Sequence, residues 1–262
     1  MRSDRDGHER PGLVFIHGGF HAARCWAPTV AELQRQAPDV PVLAVDLPGR
    51  GDAPADLGSV TAGSCVDRVI EQIDAAGLDE VVVVGHSLGG LTMPGVAARL
   101  GAARVARLVF IATLVPPEGT TAVELMPWPP LRWFMARLLP RGRSRRPPPR
   151  TLARLAFCNG MTRQQRELVY DQLCPEATNL FHEPADRTGI PASVPRTWIL
   201  TRRDRACPAR YQRSYIDNLG GLDEVVEIDT CHDVMISEPA RLAAILAERC
   251  HPDPVAGVDG HG

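Results

Sequence analysis

The chain of 262 residues contains no lysine: every one of its 29 basic side chains is arginine. That excludes a P-loop lysine, a Schiff-base lysine and the lysine of a protein kinase, and with them most phosphoryl-transfer and pyridoxal chemistry. There is no basic excess either. A formal net charge of −2 at pH 7 gives nucleic acid no electrostatic footprint. The cluster Arg143, Arg145 and Arg146 in RGRSRRPPPR reads as a solvated loop. No apolar run approaches the roughly 20 residues that cross a bilayer, and the charged opening MRSDRDGHER lacks the apolar stretch of a secretory signal. The seven cysteines are odd in number and scattered, with no CxxC pair and no Cys/His metal spacing. Reduced thiols in a cytoplasmic protein are expected, with no metal, no membrane partner and no nucleic-acid partner.

What is present is an ordinary globular composition, 44% hydrophobic, long enough for one sizeable core. Short β-branched runs alternate with helical patterns. Strands are expected at Leu13–His17, Val42–Val45, Val81–Val84, Val105–Ala112, Thr197–Thr201 and Val225–Ile228. Helical patterns lie near 27–36, 62–76, 88–100, 208–218 and 239–249. Strands apolar on both faces and separated by helices predict an α/β fold with a mostly parallel sheet of about six strands. From 115 to 193 no strand pattern appears, but helical patterns do, around 123–139, 152–157 and 163–174. A cap is therefore expected at 115–193, inserted into a core of 1–114 and 194–250, with 251–262 a disordered tail.

The run VVVVGHSLGG at 81–90 carries the chemistry. Gly85-His86-Ser87-Leu88-Gly89 fits G-x-S-x-G after a strand and before a helix, the context in which a sharp turn exposes a serine hydroxyl. Cβ atoms at Gly85 and Gly89 would be expected to strike neighbouring backbone. A serine is a weak nucleophile at neutral pH and needs a base, which in turn needs an orienting acid. Of eight histidines, His232 alone follows the last strand and precedes the last helix, at the sheet edge where Ser87 is expected. Asp204, just past the preceding strand, is the preferred acid; Asp229 is the rival, and Asp217 is expected to face outward. The amides of Leu88 and of Gly19, in His17-Gly18-Gly19-Phe20, are the expected oxyanion donors. The latter loop lacks G-x-G-x-x-G, so a dinucleotide site is disfavoured.

In this order, Ser87, Asp204, His232, the chain resembles the α/β-hydrolase family over residues 11–250. The marks are HGG at 17–19, DLPGRG at 46–51, GHSLGG at 85–90, RRDRACP around Asp204 and HDVMISEP from His232. HGGFHAARCW and FCNGMT (157–162) are similar to the branch of methylesterases and hydroxynitrile lyases. The resemblance implies a cofactor-free serine esterase acting on a small-molecule ester, with Ser87 as nucleophile, His232 as base and Asp204 as its partner. Lyases of this branch carry a lysine after the histidine; here that neighbour is Asp233. A lyase, cyclase or thioesterase on the same fold, or a silent ligand-binding member, is the alternative. An apolar substrate pocket is expected from Phe20, Trp26, His86, Met126, Trp128 and Trp133, with Phe134 and Met135. Cys231, where a glycine is usual, is expected to be a packing thiol.

Overall fold

The computed structural model describes residues 10–125 and 140–250, with Trp133 and Arg137 between them. The tail at 251–262 and the pocket candidates Met126, Trp128, Phe134 and Met135 lie outside these residues. Six parallel strands form one sheet: β1 (Gly12–Ile16), β2 (Val42–Val45), β3 (Val81–His86), β4 (Val105–Ile111), β7 (Arg196–Thr201) and β8 (Glu224–Ile228), in the order β2-β1-β3-β4-β7-β8. The strand order reverses beside β1. The loops after β1 and β3 therefore meet at a topological switch point, where open α/β sheets bind ligands.

Alternation along the strands divides the interior into two layers. Val14, Ile16, Val81 and Val83 join the core under α2 (Ala62–Ala75) and α3 (Met93–Leu100). Leu13, Phe15, Val82 and Val84 face the other layer, under α1 (Ala27–Gln36) and the helix Pro239–Glu248. Val81, Val82, Val83 and Val84 are all fully buried, each contributing about 1.5–3 kcal/mol by leaving water. The central strand is therefore an anchored platform for whatever follows it.

The helix expected over 88–100 is broken. A 3-10 turn, Ser87–Leu91, precedes α3, and Thr92 joins them. Gly89 and Gly90 weaken the first turn, while Pro94 suits the start of α3. Between β4 and β7 lie the helices Arg150–Ala156 and Arg163–Gln172, the second closed by a Thr162/Gln165 capping box. That span also holds two strands that the sequence pattern does not announce, β5 (Ser144–Arg145) and β6 (Glu176–Ala177), paired antiparallel. Two residues are too few to show a period. No helix among the described residues is long and apolar enough to cross a membrane.

Candidate active site

Three non-glycine residues among those described have positive φ: Phe20 at 62°, Ser87 at 50° and Ala112 at 46°. Each lies just past the end of β1, β3 or β4, on one edge of the sheet. Holding a side chain there costs on the order of 1–3 kcal/mol, and such strain clusters at functional sites. Ser87 is braced from below by the Leu114 N–H, which donates to its carbonyl at 3.0 Å.

The elbow is close-packed against the β1 loop. A Cβ on Gly89 would sit 2.8 Å from the His17 carbonyl oxygen and 2.9 Å from that of Ile16. One on Gly18 would lie 2.8 Å from His86 Nδ1 and 2.9 Å from Ser87 Cβ. At Gly85 the collision is different from the one expected: the obstacle is the Met93 side chain, its sulfur foremost, rather than backbone. Gly19 approaches Leu88, with ordinary contacts of 3.5 and 3.7 Å from its notional Cβ to Leu88 Cδ2 and Cβ. The two expected oxyanion donors thus belong to neighbouring segments.

Asp204 and His232 meet across two loops, with His232 Nδ1 2.7 Å from Asp204 Oδ2. The carboxylate also accepts from Thr201 Oγ1 at 2.8 Å and from the Cys207 N–H at 2.7 Å. Gln212, fully buried, donates to the Thr201 and Cys207 carbonyls and so fixes the acid's loop from beneath. Burial alone would lower the His232 pKa; the charge and hydrogen bond of Asp204 outweigh it and hold the imidazole above its usual 6.5. A carboxylate on Nδ1 makes Nδ1 the donor and leaves Nε2 as the lone-pair nitrogen of the neutral ring. The rival Asp229 is exposed and pairs with Arg203 at 3.4 Å, and Asp217 is exposed on its helix.

His86 joins the elbow to the His232 loop. Its ring centroid lies 4.6 Å from that of His232, and its Nε2–H donates to the His232 carbonyl at 3.1 Å. Burial, then the neighbouring His232, pushes its pKa well below the usual 6.5, so the ring is neutral. His86, His232 and Asp233 bring three potential ligand atoms within 4.8 Å of one another. One nitrogen of each ring and one oxygen of Asp233 are already bonded to protein partners.

The pocket candidates separate. Phe20 is half-buried beside Gly19. Trp26 is fully buried and packs on Phe15 at 4.6 Å, so it supports the site from within the core. Trp133 is 66% exposed, with the Arg137 guanidinium over its ring, so it faces solvent. Phe157 stacks on His232 at 5.5 Å, a contact that the sequence marks only by the FCNGMT segment. Cys231 is buried in the apolar layer beneath the loop, and burial raises its thiol pKa.

Residues 13–245 match the alpha/beta hydrolase family. The chain is 30% identical over 246 residues to a carbendazim hydrolyzing esterase from Nocardioides sp., covering 90% of this chain and 98% of that enzyme. It is 30% identical over 265 residues to methylesterase 7 of Arabidopsis thaliana, covering 93% and 97%. Among solved structures, an extracellular alpha/beta-hydrolase from a Paenibacillus species superposes with a TM-score of 0.78 at 23% identity, covering 91% of this chain and 98% of that one. The chain belongs to the alpha/beta hydrolase family, on the branch that includes the methylesterases.

Proposed function

We propose that Ser87, His232 and Asp204 hydrolyse a carboxylic ester through an acyl-enzyme, with the amides of Gly19 and Leu88 binding the oxyanion. The chain is a carboxylic ester hydrolase acting on a small-molecule ester, as its esterase relatives are. The observation that carries the residue assignment is the 2.7 Å pairing of His232 with Asp204 on loops at the edge where Ser87 stands strained at φ 50°.

His232 Nε2 takes the proton as Ser87 Oγ attacks the ester carbonyl. Asp204 holds the ring's tautomer and stabilises the imidazolium without taking the proton. Negative charge then forms on the carbonyl oxygen, where unpaired amides aimed at it are worth about 2.7–4 kcal/mol each. The imidazolium returns its proton to the departing alcohol, and water repeats the sequence on the acyl-enzyme. The alcohol or acyl group carries an apolar portion, a reading supported by Phe157 stacked on His232 and by Phe20 beside Gly19.

Ser87→Ala should lower kcat for p-nitrophenyl and methyl esters by at least about 10⁴-fold while leaving thermal unfolding within a few degrees. A fluorophosphonate should add to wild type at Ser87, seen by peptide mass, and not to the variant. Full turnover by Ser87→Ala would overturn the assignment.

A further inference from the structure

The β1 loop contains two buried histidines whose surroundings demand different protonation. His17 Nδ1 faces the Gly18 carbonyl at 2.9 Å, and its Nε2 accepts from the Leu47 N–H at 3.2 Å. One acceptor and one donor suit a neutral ring, and burial pushes its pKa down to about 3. His21 faces acceptors on both sides: Gly19 O lies 2.7 Å from Nδ1, and Asp233 Oδ2 lies 3.2 Å from Nε2. A carbonyl cannot donate, nor can an ionised carboxylate; Asp233 is held below its usual 3.8, so with that group ionised both ring nitrogens carry hydrogen. His21 is an imidazolium and Asp233 its carboxylate, a buried ion pair one residue from His232.

A second buried pair lies on the other side of the same peptide. Glu176, in β6, is paired with Arg50, and both are almost completely buried. Glu176 Oε2 accepts the Phe20 N–H at 3.0 Å. In a trans peptide the carbonyl and N–H point in opposite directions. The Gly19–Phe20 unit is therefore held at its oxygen by His21 and at its nitrogen by Glu176. The next groups are also occupied: Cys174 N–H donates to the Phe20 carbonyl at 2.9 Å, and Cys174 Sγ approaches the His21 carbonyl at 3.2 Å. The Gly19 N–H has no protein acceptor among the described residues.

We propose that His21–Asp233 and Arg50–Glu176 are positioning pairs that clamp the Gly19–Phe20 peptide and so aim the Gly19 N–H at the oxyanion. The proposal rests on the reading of Gly19 as an oxyanion donor. Its physical content is that a loop residue at φ 62° would relax if either grip were released, moving the donor it follows. Buried ionic pairs suit this task because breaking one leaves an uncompensated charge, which makes the alternative loop positions costly. Burial alone would lower the His21 pKa, but the charge and hydrogen bond of Asp233 outweigh it; the reverse holds for Asp233, which stays below its usual 3.8. Arg24, His17, His86 and His232 are the other basic groups near this pair, and the thiols of Cys25, Cys158 and Cys231 lie near Asp233.

Two substitutions at His21 separate positioning from bulk stability. The amide nitrogen of Asn stands near the Nδ1 position and that of Gln near Nε2. His21→Asn can thus keep the grip on Gly19 while losing Asp233, and His21→Gln does the opposite. His21→Gln should lose about 10- to 100-fold in kcat with KM within threefold, and should bind an aryl boronic acid correspondingly more weakly. His21→Asn keeps the Gly19 grip but strands the buried Asp233 charge, and should lose less than His21→Gln, about three- to tenfold. Glu176→Ala should resemble His21→Gln, with Glu176→Gln recovering part of the loss because it retains an acceptor for the Phe20 N–H but leaves Arg50 without its charge partner. Equal losses in the two His21 variants, tracking their thermal stability, would overturn the clamp. A second readout needs no turnover: ¹⁵N spectra of the full chain, titrated upward through pH 6.5, should show His21 keeping both nitrogens protonated to a higher pH than an ordinary histidine, with His17 singly protonated throughout. A His21 that loses its proton below pH 6.5 would overturn the ionic pair. If wild type hydrolyses no ester, the functional reading fails while the spectroscopic result still stands on its own.

Discussion

The edge of the sheet around Ser87 and the span between β4 and β7 are built on different terms. At the edge, His17, His21, His86, Asp204, His232 and Asp233 are all buried, and each hydrogen-bonds to another loop, to its own turn or to both. In the span, four large apolar side chains among the described residues are exposed: Trp133, Leu152, Leu155 and Leu168. The first region spends buried polar groups, each needing a partner, to fix atoms to within fractions of an ångström. The second leaves apolar surface on short helices, where substitutions cost little and shape can drift. Glu176 and Cys174 belong to the span yet bind the β1 loop, so the two regions share one seam. The comparison teaches that the reaction should be sensitive to single atoms at the edge and tolerant a few residues away.

The largest effect after loss of Ser87 is expected at Asp204. Asp204→Asn replaces an acceptor by a group that can donate, which favours the wrong imidazole tautomer and conflicts with the Thr201 hydroxyl and Cys207 N–H now bonded to the carboxylate. A fall of about 10³- to 10⁴-fold in kcat is expected. The pH profile sharpens the point. His232 must be neutral to act, and Asp204 holds its pKa above 6.5, so kcat/KM should rise with pH through a midpoint above 6.5. Removing the carboxylate favours the neutral ring and should move that midpoint down while the plateau falls. A midpoint unchanged by Asp204→Asn would separate the acid from the base and break the assumed coupling.

How much of this could be read from the chain depends on whether a residue's role is local. The six strands are legible because β-branched runs alternate with helical patterns, and each strand lies within two residues of its expected position at either end. Ser87, Asp204 and His232 are legible as candidates because each follows a strand closely in sequence. The interlocking pairs are not. His21 and Asp233 are 212 positions apart, and nothing in either neighbourhood names the other; Asp233 stands out only as the residue found where related lyases carry lysine. Arg50 lies in DLPGRG and Glu176 in a two-residue strand, so neither falls on a periodic face. Phe157 reads as the end of an amphipathic helix, and only the fold turns it toward His232.

Smaller effects should mark where the precise region ends. Phe157→Ala removes the ring stacked on His232 and should raise KM for aryl esters about three- to tenfold, with kcat for p-nitrophenyl acetate reduced no more than about fivefold. Parallel loss for acetate and aryl esters would instead make Phe157 a support for the imidazole, widening the sensitive region by one shell of packing. Leu155, 58% exposed on the helix Arg150–Ala156, tests the tolerant side. Its replacement by serine should shift stability by no more than about 0.5 kcal/mol, as for other exposed positions, and leave kcat/KM within about twofold for both esters. A tenfold rise in KM confined to the bulkier ester would mean that substrate reaches the outer face of this helix. The boundary between the two regions would then run through the span itself, because an apolar side chain in water gains nothing by mutation-sensitive placement unless something else comes to cover it.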